Sequence, residues 1–188
     1  MFDSIYDYSV IHKGSSITEQ YDNVVLYKFS SRHRDYIVSL ETYALGFVAI
    51  KFCERQDFRL KNAKRYERTF NDIDNDATRI ISTCLHIMRD FWVLHPGTNF
   101  CFHGTLRPLN SNDTNIRKNR TVRFNIYRYA MFNLFSPHDF EHYFDTDNCV
   151  YLLLNKTEQQ PENVVKGLTK FLSDNYNIIF DTANAVNE

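Results

Sequence analysis

Three consecutive stretches near the start of the chain carry the hydrophobic pattern of strands. Val24 to Ser30 reads VVLYKFS, and Tyr36 to Tyr43 and Gly46 to Cys53 repeat its β-branched and aromatic character. Short apolar runs of this kind, bounded by turn residues, predict strands. Ser31 to Asp35 joins the first to the second, and Ala44-Leu45 joins the second to the third, so an antiparallel meander is expected. The period then changes. Across Ile73 to Leu94 the residues Ile73, Ala77, Ile80, Ile81, Cys84, Leu85, Met88, Phe91 and Trp92 recur at helical spacing and mark one face. Asn71, Asp72 and Asp74 suit its amino end, where capping oxygens and negative charge are favoured. Pro96-Gly97 stops it.

Phe100 to Leu106 follows as a short strand, and Asn110 to Asn119 is a polar loop. A second helix is expected over Thr121 to Phe135, with Val122, Ile126, Tyr129, Ala130 and Leu134 inward and Ser136-Pro137 as its end. Phe140 to Asp145 and Cys149 to Asn155 flank Thr146-Asp147-Asn148, a hairpin turn. The last helix, Pro161 to Asp174, begins with proline in its first turn beside Glu162. The predicted order βββαβαββα describes one α/β (α+β) domain with a mixed, mainly antiparallel sheet and flanking helices. Its core spans residues 24–175, with an N-terminal extension at 1–23 and a tail at 176–188. One parallel pairing is expected, between Gly46 to Cys53 and Phe100 to Leu106, because a helix makes that crossover.

Composition agrees with a packed domain. Of 188 residues 43% are hydrophobic, with 16 Phe and 12 Tyr, enough to build a core and too many for a disordered chain. The formal charge of −1 gives the whole molecule no bias towards nucleic acid or membrane, so such a role needs local clustering. Cys53, Cys84, Cys101 and Cys149 are scattered and mostly sit in apolar runs, which predicts buried free thiols in a reducing compartment. No run approaches the ~20 apolar residues of a membrane span. The start, MFDSIYDYSV, carries acids where a secretion signal carries Lys or Arg. A soluble, cytoplasmic protein is the expectation.

Three antiparallel strands followed by helix, strand, helix and a closing hairpin resemble the core of the GNAT acetyltransferase superfamily over roughly Val24 to Asn155. In that family the third strand leads into a glycine-rich loop whose amides hold the coenzyme A pyrophosphate. The corresponding segment here, RQDFRLKNAKRYERTFNDIDND, contains no glycine. The elements FCFHG at Phe100 to Gly104, RFNIY at Arg123 to Tyr127, the start of the Phe140-Glu141-His142 strand and YLLLNK at Tyr151 to Lys156 are similar to a domain family of Bacteroidetes-type bacteria with no established activity. That resemblance implies a small operon of the toxin-antitoxin or mobile-element kind.

Two basic stretches stand out. Arg55, Arg59, Lys61, Lys64, Arg65 and Arg68 precede the first long helix, and Arg117, Lys118, Arg120, Arg123 and Arg128 lie in or near the second. In the acetyltransferase topology both approach one cleft, where Lys61, Lys64, Arg65, Arg68, Arg120 and Arg123 would bind a phosphate-bearing ligand or RNA. Tyr66, Phe70, Tyr127 and Tyr129 add stacking surfaces. The plainer reading is a pair of solvated faces balanced by nearby acids. His103, Gly104 and Arg107 mark the cleft edge, where the short strand leaves the sheet. Tyr127 matches the position of the family's general acid, and a tyrosine packing the helix on the sheet is the plainer alternative.

Cys101 and His103 share a strand face but are ~6.6 Å apart in rise, a thiolate needs its base within about 3 Å and nothing marks a third, orienting group, so a buried cysteine beside a hydrogen-bonded histidine is expected. His138-x3-His142 has a spacing known from zinc sites, yet no cysteine pair completes four ligands, so no metal is expected. Ser15-Ser16 and Ser30-Ser31 lack the nucleophile-elbow context. The leading expectation is a binding or regulatory component of a toxin-antitoxin or defence module, using the basic cleft for a ligand, RNA or a protein partner, with no cofactor. A divergent acyltransferase using acetyl-coenzyme A, with Tyr127 as acid, is the alternative. A protein-interaction scaffold is another, with a homodimer through the closing hairpin as one version of it.

Overall fold

A computed structural model describes residues 4–15, 21–60, 76–103, 127–146, 148–176, 178 and 180. The element order is β1 (Tyr8–Ser15), β2 (Asn23–Ser30), β3 (Asp35–Tyr43), β4 (Phe47–Glu54), α1 (Ala77–Leu94), β5 (Phe100–His103), α2 (helical residues 127–134), β6 (Phe140–Asp145), β7 (Val150–Asn155) and α3 (Pro161–Tyr176). All strands join one seven-stranded sheet in the order β1-β2-β3-β4-β5-β7-β6. Every pairing is antiparallel except β4 with β5. The fold is therefore α+β with a mixed, mainly antiparallel sheet, and its parallel pair falls where α1 makes the crossover.

Each face of the sheet has its own core, because side chains alternate along every strand. Val38, Leu40, Val48, Ile50, Phe100, Tyr151 and Leu153 face α1 and α2 and meet Ile80, Ile81, Cys84, Met88, Met131 and Phe135. Tyr43, Phe47, Ala49, Cys101, Val150, Leu152 and Leu154 face α3 and meet Val164, Leu168, Phe171 and Leu172. The β3–β4 turn positions α3. Gly46 holds φ at +88°, a conformation that L side chains rarely adopt, and a Cβ on Gly167 would come within 2.9 Å of Leu45 Cβ. A side chain at either position would push the helix off this turn.

Two expectations are corrected. Tyr8–Ser15, placed in an N-terminal extension, forms the edge strand β1, which pairs with β2 through a bulge at Ile11. Its residues are largely exposed, so hydrophobic alternation could not reveal it. Tyr129, placed inward, is 60% exposed; Ala130, Met131 and Phe135 carry the buried face of this region instead. All four cysteines are buried and free. Residues Asn71, Asp72 and Asp74, assigned to the amino end of the first helix, lie outside the described residues. Asp76 at that end accepts a hydrogen bond from Tyr6.

The amino ends of β4 and β5 are fastened by one buried side chain. Asn99, 2% exposed, donates from Nδ2 to the Gly46 carbonyl (2.9 Å) and to Glu158 Oε2 (2.9 Å), and its Oδ1 accepts from the Asn155 amide (2.8 Å). Its carbonyl accepts from the Val48 amide at 2.8 Å. Asn155 in turn donates to the Pro96 carbonyl, which also accepts from Trp92 Nε1. Asn99→Ala would strand the Gly46 carbonyl and the Asn155 amide, and is expected to cost about 3 kcal/mol in urea denaturation.

His142, on β6, is buried against Phe132, and its Nδ1 lies 2.8 Å from the Tyr151 hydroxyl. Burial lowers its pKa from 6.5 to about 4, against a smaller opposing effect of the Phe135 backbone. Below pH 6.5 the unfolded ring takes up a proton that the folded ring refuses, so its stabilisation is complete above that pH and fades as pH falls towards 4. Stability is expected to drop by about 3 kcal/mol across that window, as read by denaturant titration, and His142→Gln should flatten the slope.

Candidate functional site

Among the described residues the parallel ladder pairs Val48 with Phe100, Ala49 with Cys101 and Ile50 with Phe102, and β4 runs on to Glu54. On its other side β4 stays paired with β3 as far as Glu54 and Tyr36. Among the described residues, Lys51 to Glu54 therefore have a strand partner on one side only. Two connections also start at this carboxyl end. The chain after Glu54 leads to α1, whose start meets the sheet at β2: Tyr6 bonds Asp76 and stacks on Phe29, and Phe29 stacks on Tyr36. The chain beyond His103 returns at Tyr127, whose ring is 4.5 Å from Phe102. In open α/β sheets the notch beside the carboxyl ends of parallel strands is where ligands settle.

The two faces of this notch differ in chemistry. On the α1/α2 face, Ile50, Phe52, Cys84, Leu85, Met88, Phe102, Tyr127, Met131 and Tyr151 line an apolar hollow of about 10 Å³, roughly the room of one water. On the α3 face lies an ionic cluster. Lys51 Nζ donates to Glu41 Oε2 at 2.5 Å, and the Tyr43 hydroxyl donates to the same oxygen at 2.9 Å. Ser39 donates to Glu41 Oε1 at 3.3 Å. His103, one step past the last parallel pair, packs against Tyr176, the final residue of α3, with ring centroids 4.5 Å apart.

Electrostatics follow from this packing. Burial alone would lower the Lys51 pKa, but Glu41, with Tyr176 and Tyr43, carries it above its ordinary value, so the ammonium stays charged. Burial raises Tyr43 and Tyr176, and both phenols stay protonated at neutral pH. Burial also pushes the Cys101 thiol up to about 12, against a smaller lowering by Lys51, which leaves it inert as a nucleophile.

Of the residues singled out from sequence, Lys61, Lys64, Arg65, Arg68, Gly104, Arg107, Arg120 and Arg123 lie outside the described residues. Tyr127 and His103 both border the notch, on opposite faces of the sheet. Arg55 pairs with Asp35 at 3.5 Å, Arg59 is exposed, and Arg128 lies over the Phe144 ring on β6. His138 and His142 do not converge: His138 is exposed beside Asp139, while His142 is buried against Tyr151. Among the described residues, no group of three or more His, Cys, Asp or Glu side chains is arranged to hold a metal ion. Sequence reasoning passed over Lys51 and Glu41. Their signal is a charge at an inward position of an otherwise apolar strand.

Compared with protein-family models, curated proteins and solved structures, the chain finds no match. The class that the fold defines is an α+β domain with a mixed, mainly antiparallel sheet.

A buried ion pair recovers little more than its own desolvation, whereas removing one partner leaves a buried charge. Lys51→Met is expected to destabilise the fold by about 3 kcal/mol, and Lys51→Met with Glu41→Gln to recover most of that loss, both measured by urea denaturation.

Proposed function

We propose that the chain is a small binding or regulatory protein that receives a phosphate-bearing ligand in the notch at the carboxyl ends of β4 and β5. The observation that carries this reading is that two connections, after β4 and after β5, start at the carboxyl ends of the parallel pair. The basic sequence stretches support it. Arg55 to Arg68 belongs to the connection that leaves at Glu54 and ends at α1, and Arg117 to Arg128 to the one that leaves at His103 and ends in α2. Both connections start at the carboxyl ends of the parallel pair, and under this reading their cations would bond phosphate oxygens. Service in a toxin-antitoxin or defence module belongs to this proposal and draws support from the sequence resemblance.

One observation favours a second reading, acyl transfer. The strand order, with one parallel pair between antiparallel blocks, agrees with the acetyltransferase resemblance, and Tyr127 borders the apolar hollow beside that pair. Tyr127 would then protonate the departing thiolate of acetyl-coenzyme A. The glycine-free segment after β4 speaks for binding through side-chain cations instead of a loop of amides.

Thermal unfolding with coenzyme A, acetyl-coenzyme A, ATP and a short single-stranded RNA tests both. A phosphate-bearing ligand at saturation is expected to raise the melting temperature by about 5 °C or more. The rise should shrink with salt and in Arg120→Ala/Arg123→Ala or Lys64→Ala/Arg65→Ala/Arg68→Ala. A chain that responds to none of these ligands, or whose response both variants preserve, defeats the proposal. Acetyl-coenzyme A turnover lost in Tyr127→Phe would select the second reading.

A further inference from the structure

The α3 face of the notch holds groups that phosphate binding does not use. Glu41 is 6% exposed at its side chain, and its oxygens already accept from Ser39, Tyr43 and Lys51. Lys51 keeps 23% of its side chain exposed. The carboxylate therefore sits behind and the ammonium in front. An ammonium has three donors. Among the described residues Lys51 directs them to Glu41 and, at 3.4 Å, to the Tyr43 oxygen, which leaves donor capacity at the opening. Tyr176 closes the cluster: it packs on His103, and its hydroxyl is within electrostatic reach of Lys51 and Glu41.

A buried ion pair of this kind adds little net stability over an apolar pair of the same shape, and it stands near the carboxyl end of β4 with its ammonium partly exposed. Its net charge is close to zero, so it offers donors without the surplus positive charge that a phosphate dianion demands. A singly charged group with two acceptor oxygens is its complement.

We propose that Lys51, backed by Glu41 and bordered by His103 and Tyr176, forms a receptor for a carboxylate group on the α3 face of the notch. The ligand class is a small carboxylic acid, or a carboxylate carried by the phosphate-bearing ligand. The proposal relies on the preceding reading for its placement in a ligand notch, and its chemistry rests on this cluster alone.

The test titrates the full-length chain with succinate, and separately with inorganic phosphate, following the ring resonances of His103 and Tyr176 by NMR. Succinate is expected to give saturable shifts. In Lys51→Met/Glu41→Gln, which removes both charges together and keeps the fold, succinate affinity should fall about tenfold or more. In Glu41→Gln alone it should rise, because the opposing carboxylate is gone while the ammonium remains. Arg120→Ala/Arg123→Ala should weaken phosphate and leave succinate unchanged. Absence of a saturable succinate shift overturns the proposal, as does wild-type affinity in the double charge variant. Equal loss of succinate in Arg120→Ala/Arg123→Ala also overturns it. Phosphate binding that survives any of these results leaves the reading of the basic segments standing, so the two fail separately.

Discussion

Asn99 is the constraint on which the arrangement of the sheet turns. A parallel pair cannot be closed by a hairpin, so its register must be fixed by something other than a turn. Here one buried amide does it. It joins the Gly46 carbonyl ahead of β4, the Asn155 amide at the end of β7 and the Glu158 carboxylate, and its own carbonyl takes the first amide bond from β4. Glu158 is held below its ordinary carboxylate pKa by the Gln160 backbone and then by Asn99, so this junction stays charged and bonded at neutral pH. The junction thus sets the register at the amino ends of the parallel pair, and both connections that follow β4 and β5 start from its other end.

That one-sided fastening also explains why the two faces of the notch differ. The helix crossing from β4 to β5 lies on one face, and α2 joins it there, so Phe52, Phe102 and Tyr127 meet an apolar wall. On the other face α3 is seated over the β3–β4 turn by the close approach of Gly167 to Leu45, and it runs out at Tyr176. Beyond the apolar contacts of Phe47 and Ala49 with this helix, the next inward position on β4 is Lys51. A lysine there needs an anion, and Glu41, two residues from Ser39 and from Tyr43 on the same face of β3, supplies it.

Much of this architecture was legible in the sequence, for physical reasons that vary by element. The meander, α1, the closing hairpin and the parallel pairing announce themselves because each buries an apolar face with its own period. β1 did not, since an exposed edge strand leaves no hydrophobic alternation. Tyr129 was misplaced because a large ring at helical spacing resembles a core residue until the neighbouring Ala130 and Met131 take the inward positions. Asn99 carries no pattern at all; its role depends on Gly46 and Asn155, which are brought to it only by the fold. Lys51 and Glu41 were readable in principle, because period two puts Ser39, Glu41 and Tyr43 on one face and register puts Lys51 opposite Ser39.

The same geometry decides what kind of chemistry the notch can host. Cys101 and His103 share a face of β5, as their spacing required, but they do not form a nucleophile and base. The thiol is buried deeply enough to stay protonated, and the imidazole is turned to Tyr176. What remains near the carboxyl end of β4 is a cation on one face and an aromatic wall with a tyrosine on the other. Under the proposed reading this cation would meet the acidic end of a ligand, and the protonated thiol beside it takes no part.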